Sequence, residues 1–294
     1  MTSNPTDPRL ATVDDVAIIL GLKQGTTPFT STKVMISEVD RLRVMVQDCL
    51  PPLSAIPAPD LCIFLAEFSA KYLSASVDAY INRCLLPVPN PSAMVQSELF
   101  NGYFLMISAS SDSPYFGKYF GSHHPSAANG KKLATVVARR LLRFTMHIDK
   151  GAAKSSNSNF WLDKEAPEAI MKALRVMAMI LSALPEDEGR LSPQMKNALA
   201  PYIRRWSKPR QDPSLREICR QLSQLLNPSS VPQRRGVRNL LRGWDGCGLP
   251  GCNEKANLKI CARCRTVCYC CPEHQKAHWT GPSPHKKLCF ETIY

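Results

Sequence analysis

Cys261-Ala-Arg-Cys264-Arg-Thr-Val-Cys268-Tyr269-Cys270-Cys271-Pro-Glu-His274-Gln275-Lys-Ala-His278-Trp279 is the densest run of thiols and imidazoles in the chain. Working outward, the frame reaches back to Cys247 and Cys252 and forward to His285 and Cys289. It reads C-x4-C-x8-C-x2-C-x5-C-x3-H-x10-H-x3-C. Zinc takes four tetrahedral ligands from thiolate and imidazole, and short C-x2–4-C and H-x3-C steps place two of them on one ion. Eight donors in four such pairs imply two metals.

The order C-x2-C, then Val267-x-Tyr269-Cys270, then His274 followed by Gln275, then Trp279, then H-x3-C resembles a MYND-type zinc finger over roughly residues 247 to 289. In overall look the chain is similar to fungal proteins with a single MYND finger near the C-terminus. The resemblance implies interleaved ligands: Cys247, Cys252, Cys270 and His274 on one zinc, Cys261, Cys264, His285 and Cys289 on the other. About 50 residues bury too little apolar surface to fold alone. Roughly 10–16 kcal/mol of apparent zinc binding per structural site supplies the missing energy. Neither site keeps an open position, so both ions are expected to be structural.

Three features depart from the family pattern. His274 stands where cysteine is usual, a mild change because imidazole is also a zinc donor. Trp279 and His285 are further apart than usual, with Gly281, Pro282 and Pro284 reading as a bulging loop. His278 is therefore a rival to His285, although the H-x3-C step to Cys289 favours His285. Cys268 and Cys271 have no slot in the scheme and read as small buried or half-exposed residues. The sharper alternative is register exchange or a redox-sensitive pair beside the metal.

A RING arrangement is disfavoured, since it would end in C-x2-C and carry a central C-x-H step. A disulfide framework is disfavoured too: the chain opens Met-Thr-Ser-Asn-Pro-Thr-Asp, without a basic n-region or apolar h-region. Clustered Cys and His then read as metal ligands in a reducing compartment.

Pro272 to Trp279 reads as a short helix with proline and an acid in its first turn. Gln275 and Trp279, four apart, share a face. The resemblance implies that they line a shallow groove for short proline-rich peptides. Trp279 would form the floor under a proline and Gln275 would hydrogen-bond the extended backbone. The alternative for Trp279 is packing on the finger's own small core. Tyr269 reads as core. Arg263, Arg265, Lys259 and Lys276 read as a recognition edge or as compensation for the metal sites.

The rest of the 294-residue chain, 44% hydrophobic overall, has room for one large or two modest domains. No apolar run reaches the roughly 20 residues that span a bilayer, so a soluble protein is expected. Residues 9 to 226 look helical almost throughout. Ile170, Leu174, Met177, Leu181 and Leu184 form a helical stripe behind Pro167. Ser192-Pro193 and Asp212-Pro213 open two more helices. Segments 31–49, 59–86, 92–109 and 130–148 behave similarly, and loops are expected at Ser110–Gly130, Gly151–Asn159 and Asn227–Gly236. Cys49, Cys62, Cys84 and Cys219 read as core residues and His123-His124 as a solvated turn. The expected fold class is mainly α: a helical bundle or armadillo-like stack over 1–226, a basic linker at 227–242, and the finger at 243–294.

Three functions compete. The first is a non-enzymatic adaptor in the nucleus or cytoplasm, whose two-zinc finger binds protein partners through proline-rich segments. The second is nucleic-acid association through Arg204, Arg205, Lys208, Arg210, Arg216, Arg220, Arg234, Arg235, Arg238 and Arg242, a basic stretch in a chain of formal charge +13. The third is lysine methyl transfer. It is disfavoured because the chain has no Asn-His step and a helical body.

Overall fold

Short polar side chains set the helix starts in the computed structural model, which describes residues 12–26, 58–82, 99–154, 160–184, 191–209, 211–226, 246–282, 284–292 and 294. Thr12 and Asp15 form a reciprocal capping box at the start of α1, Val13–Ile19. The Asn101 side chain accepts from Phe104 N at 3.1 Å and opens α3, Gly102–Ala109. Ser192 accepts from Met195 N at 3.2 Å, with Pro193 at the first position of α7, Pro193–Trp206. Asp212 Oδ1 accepts from Ser214 N and Leu215 N at 2.8 and 3.1 Å and opens α8, Pro213–Leu226.

Between these lie α2, Ala58–Asn82; α4, Pro114–Phe120; α5, Gly130–Lys154; and α6, Phe160–Ala183. Helix α6 lies against α3, α4, α5 and α8, whereas α7 bridges α5 and α8. Its burial matches that axial position: Ala173, Leu174, Val176, Met177, Ile180, Ala183 and Leu184 are all buried, a band wider than one amphipathic stripe. Helix α2 covers α3, α4 and α5 from the other side. One apolar core runs from Val13 through Phe68, Tyr80, Phe104, Phe116, Leu141 and Met177 to Leu222. Fully burying one such side chain stabilises the fold by roughly 1.5–3 kcal/mol.

The body is mainly α, as the sequence predicts, with three local corrections. The expected loop at Ser110–Gly130 contains α4, capped by Ser113 with Pro114 at its first position. Its aromatic residues Tyr115, Phe116, Tyr119 and Phe120 are buried, which is why so short a helix holds. The expected loop start at Gly151 lies inside α5, which continues to Lys154. Helix α6 begins at Phe160 and carries Pro167 inside it, because a proline deletes one ladder bond without forbidding the turns before it.

Cys219 is buried as expected, but Cys62 is exposed, since α2 turns Leu61, Phe64, Leu65 and Phe68 toward the core and Cys62 away from it. Exposed His124 caps a 3-10 turn, Pro125–Ala127, by accepting from Ser126 N. The expected helix 31–49, Cys49, Cys84 and the linker 227–242 lie outside the described residues. No described helix is long and apolar enough to cross a membrane.

Candidate metal centres

The C-terminal segment builds its scaffold from very little regular structure. Two-residue strands β1, Lys259–Ile260, and β2, Cys268–Tyr269, pair antiparallel with Ile260 opposite Cys268, and α9 follows at Pro272–Thr280. Backbone bonds fold the loops around them: Gly248 N donates to Cys268 O at 2.8 Å, and Cys261 N to Val267 O at 2.8 Å. After Cys264 the chain turns through Arg265, whose φ of 55° is left-handed, while its N–H donates to Cys261 O at 3.0 Å. Gly248 has no room for a side chain, since a Cβ there would lie 2.2 Å from Val267 Cγ1.

This scaffold gathers two donor sets. Cys247, Cys252, Cys270 and His274 form one; Cys261, Cys264, His285 and Cys289 form the other. Within each set the donor atoms all lie within 4.8 Å of one another. Zinc–sulfur distances near 2.3 Å and zinc–nitrogen distances near 2.0–2.1 Å imply tetrahedral edges of about 3.8 Å between sulfurs and about 3.5 Å from sulfur to nitrogen. In the first set Cys252 Sγ is 3.9 Å from Cys270 Sγ and Cys247 Sγ is 3.7 Å from His274 Nδ1. Cys270 Sγ to His274 Nδ1 is tighter, at 3.0 Å. In the second, Cys261 Sγ is 3.8 Å from Cys289 Sγ and Cys264 Sγ is 3.4 Å from His285 Nε2. Two Cys3His sets of this size fit two structural zinc ions, and consecutive ligand pairs alternate between them.

The two sets differ in their surroundings. The first is half-buried. The second is sealed: Ala66 and Ala70 of α2 and Tyr115 of α4 pack against Cys261, Cys264, Tyr269 and Cys289. Burial, and then the neighbouring His278, lowers the His285 imidazole to about 4, which keeps the ring neutral as a metal requires. The buried Thr266 hydroxyl donates to Cys264 Sγ at 3.1 Å, stabilising a thiolate there.

His285, not His278, stands in the second set; His278 Nδ1 faces the Tyr269 hydroxyl at 3.0 Å. Cys268 is buried, and burial raises its thiol pKa, as suits a small core residue. Cys271 is half-buried with its sulfur 4.0 Å from Cys270 Sγ, outside either set of four. Gln275 is turned toward the second site, its Nε2 4.0 Å from Cys261 Sγ. Trp279 is half-buried, edge-to-face with His285 at 6.0 Å between centroids.

The helical body supplies residues that the sequence reading missed. The Tyr115 hydroxyl lies 2.8 Å from Leu288 O and 2.9 Å from Phe290 O and accepts Phe290 N–H at 2.5 Å. Lys118 Nζ donates to Cys264 O at 3.0 Å and also to Thr292 Oγ1. Desolvation lowers the Lys118 pKa, consistent with an ammonium drawn partly out of water. Tyr294 is buried in the main core, where its hydroxyl donates to Ser69 O at 2.5 Å and its ring stands edge-on to Tyr119.

A short hairpin, one helix and two interleaved Cys3His sets define a two-zinc finger held against a helical body. The family model of the MYND finger matches residues 247–289, and this segment is a MYND-type zinc finger. No curated protein and no solved structure matches the chain.

Proposed function

We propose that the chain is a non-enzymatic adaptor of the nucleus or cytoplasm, whose MYND finger recognises short proline-rich peptides through Trp279 and Gln275. The observation that carries this reading is the position of Trp279. Helix α9 places it half-exposed, with its indole edge-on to His285 of the second metal set. An indole held by a metal-anchored ring is a rigid apolar floor, and a polyproline-like segment loses little entropy on docking there. Gln275, one turn earlier, supplies an amide for the peptide backbone. The donor sets support structural rather than catalytic ions, since four protein ligands per ion leave no position for substrate or water.

The test uses the full-length, zinc-loaded protein against an array of proline-rich peptides, beside Trp279→Ala and Gln275→Ala. Binding that disappears in Trp279→Ala while two zincs per chain are retained supports the reading. Absence of binding, or binding indifferent to Trp279, overturns it.

A further inference from the structure

The positive charge of the chain is concentrated on two packed helices. Helices α5 and α7 lie against one another and carry ten lysines and arginines with one acid, Asp149. Together they hold +9 of the formal +13. On α5, Lys132, Arg139, Arg143, Met146 and Lys150 recur at steps of seven, four, three and four, which puts them on one stripe, and all five are exposed. The opposite stripe, Leu133, Val137, Leu141 and Phe144, is buried in the main core. Asp149 lies off the basic stripe and is bound by Arg205 at 2.9 and 3.1 Å. That pair brings the end of α7, with exposed Arg204 and Lys208, beside the end of α5.

We propose that this α5–α7 face binds the phosphate backbone of duplex nucleic acid. At 1.5 Å per residue the stripe from Lys132 to Lys150 is about 27 Å long, with cations spaced about 6 to 10 Å apart. A helix flank of that length lies readily along a groove about 12 Å wide and meets phosphates on its walls. The stripe carries no aromatic residue on which unpaired bases could stack, so backbone contact without base readout fits it best. An anionic membrane suits it less well, because the apolar side of α5 faces the core and, among the described side chains of α5, Met146 is the large apolar residue exposed to insert.

This extends the anion-binding surface upstream onto α5 from the arginine stretch legible in the sequence, with which it shares Arg204 and Lys208. In that stretch, Arg220 is bound to Glu217, and Arg210, Arg234, Arg235, Arg238 and Arg242 lie outside the described residues.

The experiment measures binding of the full-length, zinc-loaded protein to a fluorescein-labelled duplex over a salt series. Lys132→Glu/Arg139→Glu/Lys150→Glu is compared with Lys255→Glu/Lys286→Glu/Lys287→Glu, which changes net charge equally on the finger. The face variant should lose at least about tenfold in affinity, and its slope of log K against log salt should flatten by about 3, near 0.9 per phosphate contact. The finger variant should bind nearly as the parent does. Equal losses in both variants, or no duplex binding by the parent at low salt, overturn the proposal. So does binding to phosphatidylserine vesicles without binding to the duplex. If the glutamate variant does not fold by circular dichroism, the glutamine version of the same triple gives the same comparison.

Discussion

Tyr115 and Phe290, 175 positions apart, are joined at both backbone polar atoms of Phe290: its N–H donates to the Tyr115 hydroxyl and its carbonyl lies 2.9 Å from that hydroxyl. Phe290 directly follows Cys289, a donor of the second metal set, so a tyrosine of the helical body fixes the backbone that presents that thiolate. Burial raises the Tyr115 pKa well above the usual phenol range, so the group remains a neutral donor and acceptor.

Removing that hydroxyl leaves the Phe290 N–H without its partner in a poorly solvated junction. Tyr115→Phe should destabilise the protein by about 1–3 kcal/mol, the cost of an orphaned buried polar group. It should also speed zinc loss from one of the two sites. Chemical denaturation and chelator-competition kinetics check this. An unchanged midpoint with unchanged zinc release would show that Tyr115 only fills space.

The two metal sets should respond differently to loss of a ligand. Cys252→Ser should cost one zinc and leave the thermal unfolding of the body nearly unchanged, because its set is half-exposed and only Cys247 of its donors packs on the cluster that holds Ala66, Ala70 and Tyr115. Cys289→Ser should cost one zinc and lower the unfolding midpoint of the whole chain, because Ala66, Ala70 and Tyr115 pack on its set. Zinc content by mass spectrometry and scanning calorimetry read both effects. Equal thermal effects of the two variants would contradict the asymmetry.

Gly248 should not tolerate a methyl group. The added Cβ in Gly248→Ala meets Val267 Cγ1 at 2.2 Å and Cys268 O at 3.3 Å. Overpacking of this kind costs about 1–3 kcal/mol. Val267→Ala in the same chain removes the closer clash and should restore much of the loss, measured as zinc affinity of the full-length protein. A double variant no better than Gly248→Ala would place the strain at Cys268 O.

Acid should erase one tie between α1 and α2. Asp14 has its pKa lowered by the Lys23 hydrogen bond and then by the Tyr72 hydroxyl, which donates at 2.7 Å. A depressed carboxylate stabilises the fold above its unfolded pKa, and that contribution is lost as pH falls through the lower folded value. Asp14→Asn should therefore be less stable than the parent at neutral pH, by at most about 1 kcal/mol for so exposed a pair. The difference should close on acidifying below the usual carboxylate range. Denaturant midpoints of both proteins across pH test this, and a gap that widens in acid would refute it.

Much of the body was legible because its signals are local. Ser192-Pro193 and Asp212-Pro213 cap helices where expected, and the stripe from Ile170 to Leu184 is the buried side of α6. Helix α4 carries the same Ser-Pro start at Ser113, but seven residues give too short a periodicity to outweigh the serines, glycine and histidines around them. Cys62 looked like a core residue because an apolar neighbourhood in sequence does not say which face of α2 turns inward, and Leu61 packs on the core while Cys62 faces out.

In the finger, the four donor pairs and the place of Cys268 are written in spacing and residue type, because a metal accepts few donors and sets its own distances, while the alternation of the pairs is what the family resemblance implies. Ligand chemistry acts over a few residues, so the sequence by itself determined a two-zinc finger behind a helical body. That Tyr115, Lys118 and Ser69 bind the segment running from Cys264 to Tyr294 was decided only in three dimensions. A tyrosine hydroxyl or a lysine ammonium can serve any carbonyl within reach, and which carbonyl is within reach depends on how α2 and α4 pack. The same holds for the basic face: the charges of α5 and α7 are visible in the sequence, but their meeting on one surface follows from the packing of the two helices.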